Sequence, residues 1–179
     1  MTTQKESTSK PSHQVPEKKK TILGLYVTAR EAYEMWKSDP ERVKILDVRT
    51  PEEYLFVGHG EMARNIPFLF VKYQWNADKN EPVVEPNPDF MASVNSAYRA
   101  TDTLLVTCRS GGRSAIAVNM LAKGGFVNAY NIIDGMEGDK VDDAESAYHG
   151  KRMKNGWKNS GSPWTYDVNP ELIWVSTRQ

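Results

Sequence analysis

The stretch Thr103-Leu104-Leu105-Val106-Thr107-Cys108-Arg109-Ser110-Gly111-Gly112-Arg113-Ser114 decides how the rest of this 179-residue chain is read. Residues 103–107 are a short apolar run bounded by threonines, the pattern of a buried strand. From Ser114 onward, apolar residues at 116, 117, 120 and 121 share one helical face, which predicts a helix over 114–123 that Gly124-Gly125 stops. A strand, a glycine-rich turn and a helix in direct succession are the βα unit of a parallel sheet.

The flanking sequence repeats that alternation. Thr28-Ala29-Arg30-Glu31 is a capping box, so a helix is predicted over 29–37. Residues 44–48 (Lys-Ile-Leu-Asp-Val) read as a buried strand. Thr50-Pro51-Glu52-Glu53 is a second capping box with proline at the first helical position, opening a short helix to about Phe56 that Gly58 can end. Asn65-Ile66-Pro67 reads as a brief strand stopped by its proline. Residues 71–88, rich in Asn, Asp, Lys and Pro, read as a long excursion or insertion. Asn87-Pro88 can start a helix through Tyr98, and 127–133 reads as a further strand. The fold class is therefore α/β with a mostly parallel central sheet.

Residues 1–20 are polar and read as a disordered leader, with Lys18-Lys19-Lys20 as a solvated flank. Residues 21–138 form the domain. Residues 139–179 are expected to fold back over it and bury Trp157, Trp164 and Trp174.

Composition narrows the function. Lys plus Arg total 23 and Asp plus Glu total 23, so the net charge is zero and the basic excess of a nucleic-acid binder is missing. Cys108 is the only cysteine, which excludes an intramolecular disulfide, a multi-cysteine zinc site and a CxxC redox pair. No metal and no cofactor are expected, as two-His metal spacing is missing too. No run reaches the roughly 18 apolar residues of a membrane span, and 1–20 lacks the apolar core of a signal peptide. A cytoplasmic chain is expected, or a periplasmic one if a signal peptide has been removed.

The chemistry sits in the loop. The first turn of a helix leaves backbone N–H groups without partners, and the helix dipole adds partial positive charge there. Gly111 and Gly112 let the loop curl so that successive N–H groups converge and stabilise an anion. Cys108 stands at the mouth of this cradle, and the thiolate is the reactive form of cysteine. Arg109 and Arg113 flank it and can draw in an anionic substrate. Free cysteine is commonly buried and inert, but two Arg, two Ser and two Gly in the next six residues are a poor setting for inert burial.

A phosphatase loop, C-x5-R, is the competing cradle. Counting from Cys108, position 114 is Ser, and the arginine arrives one place early at 113. A tetrahedral phosphate needs a wider ring of amides than one sulfur atom, so the shorter loop favours sulfur.

These residues resemble the rhodanese family. Ile45-Leu46-Asp47-Val48-Arg49 with Pro51-Glu52-Glu53-Tyr54 and Gly58-His59 resembles its first signature, and Ala63-Arg64-Asn65-Ile66-Pro67 its next strand. Residues 108–114, with Gly125-Phe126 and Asp134-Gly135-Met136, resemble its active-site loop and the helix and strand beyond it. The match spans about residues 22–138; Gly60 departs from it, standing where the family often has an apolar residue after Gly-His. The resemblance implies a rhodanese-like fold with helices on both faces of the sheet. It implies a sulfurtransferase in which Cys108 attacks the outer sulfur of a donor, becomes a persulfide held by Arg109, Ser110, Gly111, Gly112, Arg113 and Ser114, and passes the sulfur to a thiol, a protein or cyanide. The two arginines favour a dianionic donor, pointing to thiosulfate, with mercaptopyruvate and polysulfide as alternatives. A persulfide carrier with little turnover is the alternative function. The expected partners are thus a small anionic sulfur donor and a thiol or protein acceptor, with no nucleic acid, no membrane, and a monomer or weak dimer. Asp47, which could orient a loop arginine, and Arg49, spaced to pair with Glu53, read as structural support. His59 also reads as structural, since a cysteine in this cradle needs no base.

Overall fold

A computed structural model describes residues 14–175. In chain order its elements are β1 (Tyr26–Val27), α1 (Ala29–Ser38), β2 (Val43–Asp47), α2 (Pro51–Val57), β3 (His59–Gly60), β4 (Arg64–Asn65), β5 (Leu69–Asn76), β6 (Glu81–Pro86), α3 (Phe90–Ala97), β7 (Thr103–Thr107), α4 (Gly112–Lys123), β8 (Ala129–Ile132) and β9 (Trp164–Thr165). Five strands form the central sheet in the order β1-β8-β7-β2-β4, and every adjacent pair is parallel.

Strand alternation divides the core into two layers. Leu46, Val48, Leu104, Val106 and Ala129 face Phe90 and Val94 of α3 and Ala117, Val118 and Leu121 of α4. Val43, Ile45, Leu105 and Ile132 face Ala29 and Ala32 of α1, Tyr54 of α2, Met136 and Trp157. Helices thus cover both faces. β7 lies in the middle of the sheet with β8 and β2 on either side, so its C-terminal end, where Cys108 emerges, is held by neighbours on both flanks.

Both capping boxes form. The Thr28 hydroxyl accepts from Glu31 N while Thr28 N donates to Glu31 Oε2, and Thr50 and Glu53 repeat the exchange. A further cap comes from far along the chain: Asp134 accepts from Ala29 N at 2.8 Å and from Gly156 N at 3.0 Å.

The segment 71–88 is an excursion, but an ordered one. β5 and β6 form an antiparallel hairpin with Val71 opposite Val84 and Trp75 opposite Pro82, turning at Asn80 with φ of +52°. The sequence hides it because both its faces are solvent-accessible and Pro82 and Pro86 interrupt the strand pattern.

The leader is corrected at its inner end. Residues 1–13 lie outside the described ones, but Glu17–Lys19 is a turn of 3-10 helix packed on the domain. Lys19 is buried, not solvated, because Asp139 meets its Nζ at 2.9 and 3.2 Å.

Residues 139–175 lie across the domain. β9 pairs with β3, joining His59 to Thr165 and Gly60 to Trp164. Trp157 is fully buried, while Trp164 and Trp174 are half-buried. A side chain at Gly60 would stand 3.3 Å from the Trp157 ring, so the indole occupies the space an apolar residue there would need. Lys158 Nζ donates to Val57 O at 2.7 Å, capping the end of α2.

Candidate active site

The cysteine loop is shaped from below by its own glycines. Gly111 has φ of +94°, a conformation L side chains rarely adopt, and a Cβ there would fall 2.3 Å from Ile133 O. Only glycine lets the backbone pass, and passing there turns Gly111 N onto Cys108 Sγ at 3.2 Å. α4 begins at the next residue without a side-chain cap.

The 134–138 turn braces the loop from outside. Met136 N donates to Cys108 O at 2.8 Å, and Glu137 N donates to Arg109 O at 2.9 Å. Gly135 permits this approach, because a Cβ there would lie 2.6–2.7 Å from Cys108 O, Arg109 C and Ser110 N.

Cys108 is 2% exposed. Besides Gly111 N, its sulfur faces Ser114 Oγ at 3.3 Å. That hydroxyl also stands 2.7 Å from Asn131 Oδ1, and its single proton serves the stronger acceptor. Hydrogen bonds to a charged sulfur are the stronger kind, so the pair Gly111 N and Ser114 Oγ suits a sulfur carrying negative charge. Asn131, fully buried, is the hub of the arrangement. Its Nδ2 donates to Gly111 O at 3.0 Å and to Lys19 O at 2.9 Å. No sequence signal marks Asn131, since its partners lie up to 112 residues away.

A cavity of about 220 Å³ opens above the sulfur, lined by Lys18, Cys108, Arg109, Ser110, Gly112 and Arg113. Arg109 is exposed at its rim. Arg113 is turned to Glu53: Nη1 donates to Oε2 at 2.7 Å and Nη2 to Oε1 at 3.1 Å. Burial alone would push the Glu53 carboxyl up, but the hydrogen bonds and charge of Arg113 outweigh it and hold that carboxyl below its ordinary value.

The two supporting residues form a different pair from the one expected. Asp47 does not reach a loop arginine. Its carboxylate takes Arg49 Nε at 3.0 and 3.1 Å and Nη2 at 2.7 Å, both side chains being fully buried. Arg49 meets the main-chain oxygen of Glu53 at 3.5 Å, not its carboxylate, and donates to Gly58 O at 2.8 Å. The reason is geometric: Arg49 comes two residues after Asp47 at the end of β2, so its guanidinium curls back to close the α2 turn, leaving the Glu53 carboxylate for Arg113. His59 stacks on Tyr54 with centroids 3.7 Å apart, bonds Tyr54 O through Nδ1 at 2.9 Å, and does not line the cavity.

Among the described residues no group of three or more His, Cys, Asp or Glu is placed to hold a metal ion, and no helix is long and apolar enough to cross a membrane.

The chain is similar to known proteins. The family profile described as Rhodanese-like domain matches residues 28–141. An uncharacterised protein of Rickettsia rickettsii is 31% identical over 140 residues, covering 78% of this chain and 96% of that one. The chloroplastic thiosulfate sulfurtransferase 16 of Arabidopsis thaliana is 36% identical over 92 residues, 51% of this chain and 69% of that one. The crystal structure of Rv0390 from M. tuberculosis superposes with a TM-score of 0.60 at 28% identity, covering 79% of this chain and 96% of that one. The cysteine loop at the end of the central strand, the parallel sheet around it and the profile match together place this chain in the rhodanese-like domain family.

Proposed function

We propose that the protein is a sulfurtransferase that carries sulfane sulfur on Cys108, with thiosulfate as donor and a thiol, a protein or cyanide as acceptor. The observation that carries this reading is the surrounding of Sγ inside a loop of the sulfur-sized kind: Gly111 N donates to it at 3.2 Å, and the Ser114 hydroxyl, whose one proton it shares as an alternative acceptor with Asn131 Oδ1, stands 3.3 Å away.

The chemistry divides into two displacements. In the first, the Cys108 thiolate attacks the outer sulfur of thiosulfate. A new S–S bond forms to Cys108, the original S–S bond breaks, and its electron pair leaves with sulfite. In the second, the acceptor attacks the outer sulfur of the persulfide, and the electron pair of that bond returns to Cys108 as thiolate. No general base is needed, which agrees with the position of His59 away from the cavity. The similarity to a plant thiosulfate sulfurtransferase supports the choice of donor.

The phosphatase alternative loses support from the same geometry. Arg113 falls one place short of the C-x5-R spacing, and two of its nitrogens are directed to Glu53 and not into the loop. Cyanolysis tests the proposal: wild-type protein given thiosulfate and cyanide is expected to form thiocyanate, and Cys108→Ala is expected to form none above background. Equal production by both proteins sinks it.

A further inference from the structure

The segment 14–20 lies outside the family match, yet its Lys18 lines the same cavity as Cys108. We propose that Lys18 is a positioning residue for the anionic sulfur donor, forming with Arg109 a pair of cations at the mouth of the Cys108 cavity. This assignment rests on the sulfurtransferase reading above and deepens it.

Three cations line the cavity, and they are not equivalent. Arg113 is paired with Glu53, so its charge is largely offset. Lys18 and Arg109 are exposed, and among the described residues neither is in an ion pair. An incoming dianion therefore meets two uncompensated positive charges, whereas a monoanion gains less from each.

A lysine on a free tail would offer only diffuse charge, but this one is carried on an anchored backbone. Lys19 O accepts from Asn131 Nδ2, and Asn131 also bonds Gly111 O and faces Ser114 Oγ, so one buried side chain ties the strap to the cysteine loop. Lys19 Nζ is held by Asp139 on one side of Lys18, and on the other Lys19 N closes a turn onto Pro16 O at 2.8 Å. Beyond it, Ile22 N donates to Asn119 Oδ1 of α4 at 2.8 Å. In the first displacement the broken S–S bond sends its electron pair onto sulfite, and Lys18 and Arg109 are the exposed cations lining the cavity in which that charge develops.

Two measurements on the full chain test this. The first is calorimetric binding of thiosulfate to Cys108→Ala protein, where no sulfur can transfer, with Lys18 intact or as Lys18→Ala. The second is steady-state kinetics of wild type, Lys18→Ala and Lys18→Arg with thiosulfate and with a monoanionic aryl thiosulfonate. Lys18→Ala is expected to weaken thiosulfate binding and raise its KM by about fivefold, as for loss of one exposed charge pair. The KM for the monoanion should change by less than about twofold, kcat should hold, and Lys18→Arg should recover most of the loss. Unchanged thiosulfate binding and KM in Lys18→Ala overturn the assignment, as does an equal loss for both donors or the lack of any thiosulfate binding. Turnover by wild type with an indifferent Lys18→Ala leaves the sulfurtransferase reading standing and removes this one. Lys18-dependent thiosulfate binding without turnover removes the sulfurtransferase reading, and with it the donor role, and leaves Lys18 only an anion contact.

Discussion

Arg113 of the cysteine loop and Glu53 of α2 face each other as a two-point ion pair, with Nη1 to Oε2 at 2.7 Å and Nη2 to Oε1 at 3.1 Å. Glu53 is already the closing residue of the Thr50 capping box, so one carboxylate fixes both the start of α2 and the far side of the loop. The consequence is that α2 and the cysteine loop are stabilised together.

Glu53→Gln keeps the size of the side chain and removes the charge. It is expected to lower unfolding stability by about 1–2 kcal/mol at pH 7. The sign of the pH effect comes from the depressed Glu53 carboxyl. A carboxylate held below its unfolded value, about 4.3, contributes stability above that value and loses it as pH falls through the folded one. Urea melts at pH 7 and near pH 3.5 should therefore show the gap between wild type and Glu53→Gln shrinking in acid. A gap that widens in acid contradicts the pairing.

Ser114→Ala removes a hydroxyl whose one proton lies within reach of both Sγ and Asn131 Oδ1. The expected outcome is a stability loss of about 1 kcal/mol and a rate of sulfur loading lower by about tenfold or more. Single-turnover loading from thiosulfate separates the two effects, because a purely structural loss would leave the rate of the folded protein unchanged.

The loop glycines are expected to differ sharply. Gly111→Ala places a Cβ 2.3 Å from Ile133 O at a φ of +94°, and should cost about 3 kcal/mol or displace the loop. A Cβ at Gly112 meets nothing within 4 Å, so Gly112→Ala should stay within about 0.5 kcal/mol of wild type. Thermal melts of the two variants check the contrast, and similar losses in both would refute the picture of the loop backbone.

Trp157 lies beyond the family match at 28–141 but is fully buried among Ala29, Ala32, Tyr54 and Met136. Trp157→Ala should destabilise the whole chain by about 3–5 kcal/mol in one cooperative transition. A separate, weaker transition would show that 139–175 is an appendage.

Legibility in the sequence depends on how far apart the partners lie. Thr28 with Glu31 and Thr50 with Glu53 are three residues apart, and both boxes form as read. The strand 103–107 needs only its apolar run, and the loop after it only its glycines and arginines. Most of the misreadings involve distant partners or exposed strands, and Asp47 is the exception. Nothing local says that Glu53 turns to Arg113 across 60 residues, or that Lys19 finds Asp139 across 120 and so leaves the solvent. Asp47 ends a strand beside the loop, which suggests a contact with it; the nearer Arg49 claims it instead. The hairpin 69–86 is invisible as strands because it buries neither face well enough to impose an alternating pattern.

The proposed transfer requires sulfur to rest covalently on Cys108. The decisive reading is the intact mass of the protein after incubation with thiosulfate and removal of the donor, and again after addition of cyanide. Wild type is expected to gain the mass of one sulfur atom, to lose it to cyanide with formation of thiocyanate, and to carry it on the peptide containing Cys108. Cys108→Ala is expected to gain nothing. A wild type that gains no sulfur, or a Cys108→Ala protein that gains it equally, contradicts the claim.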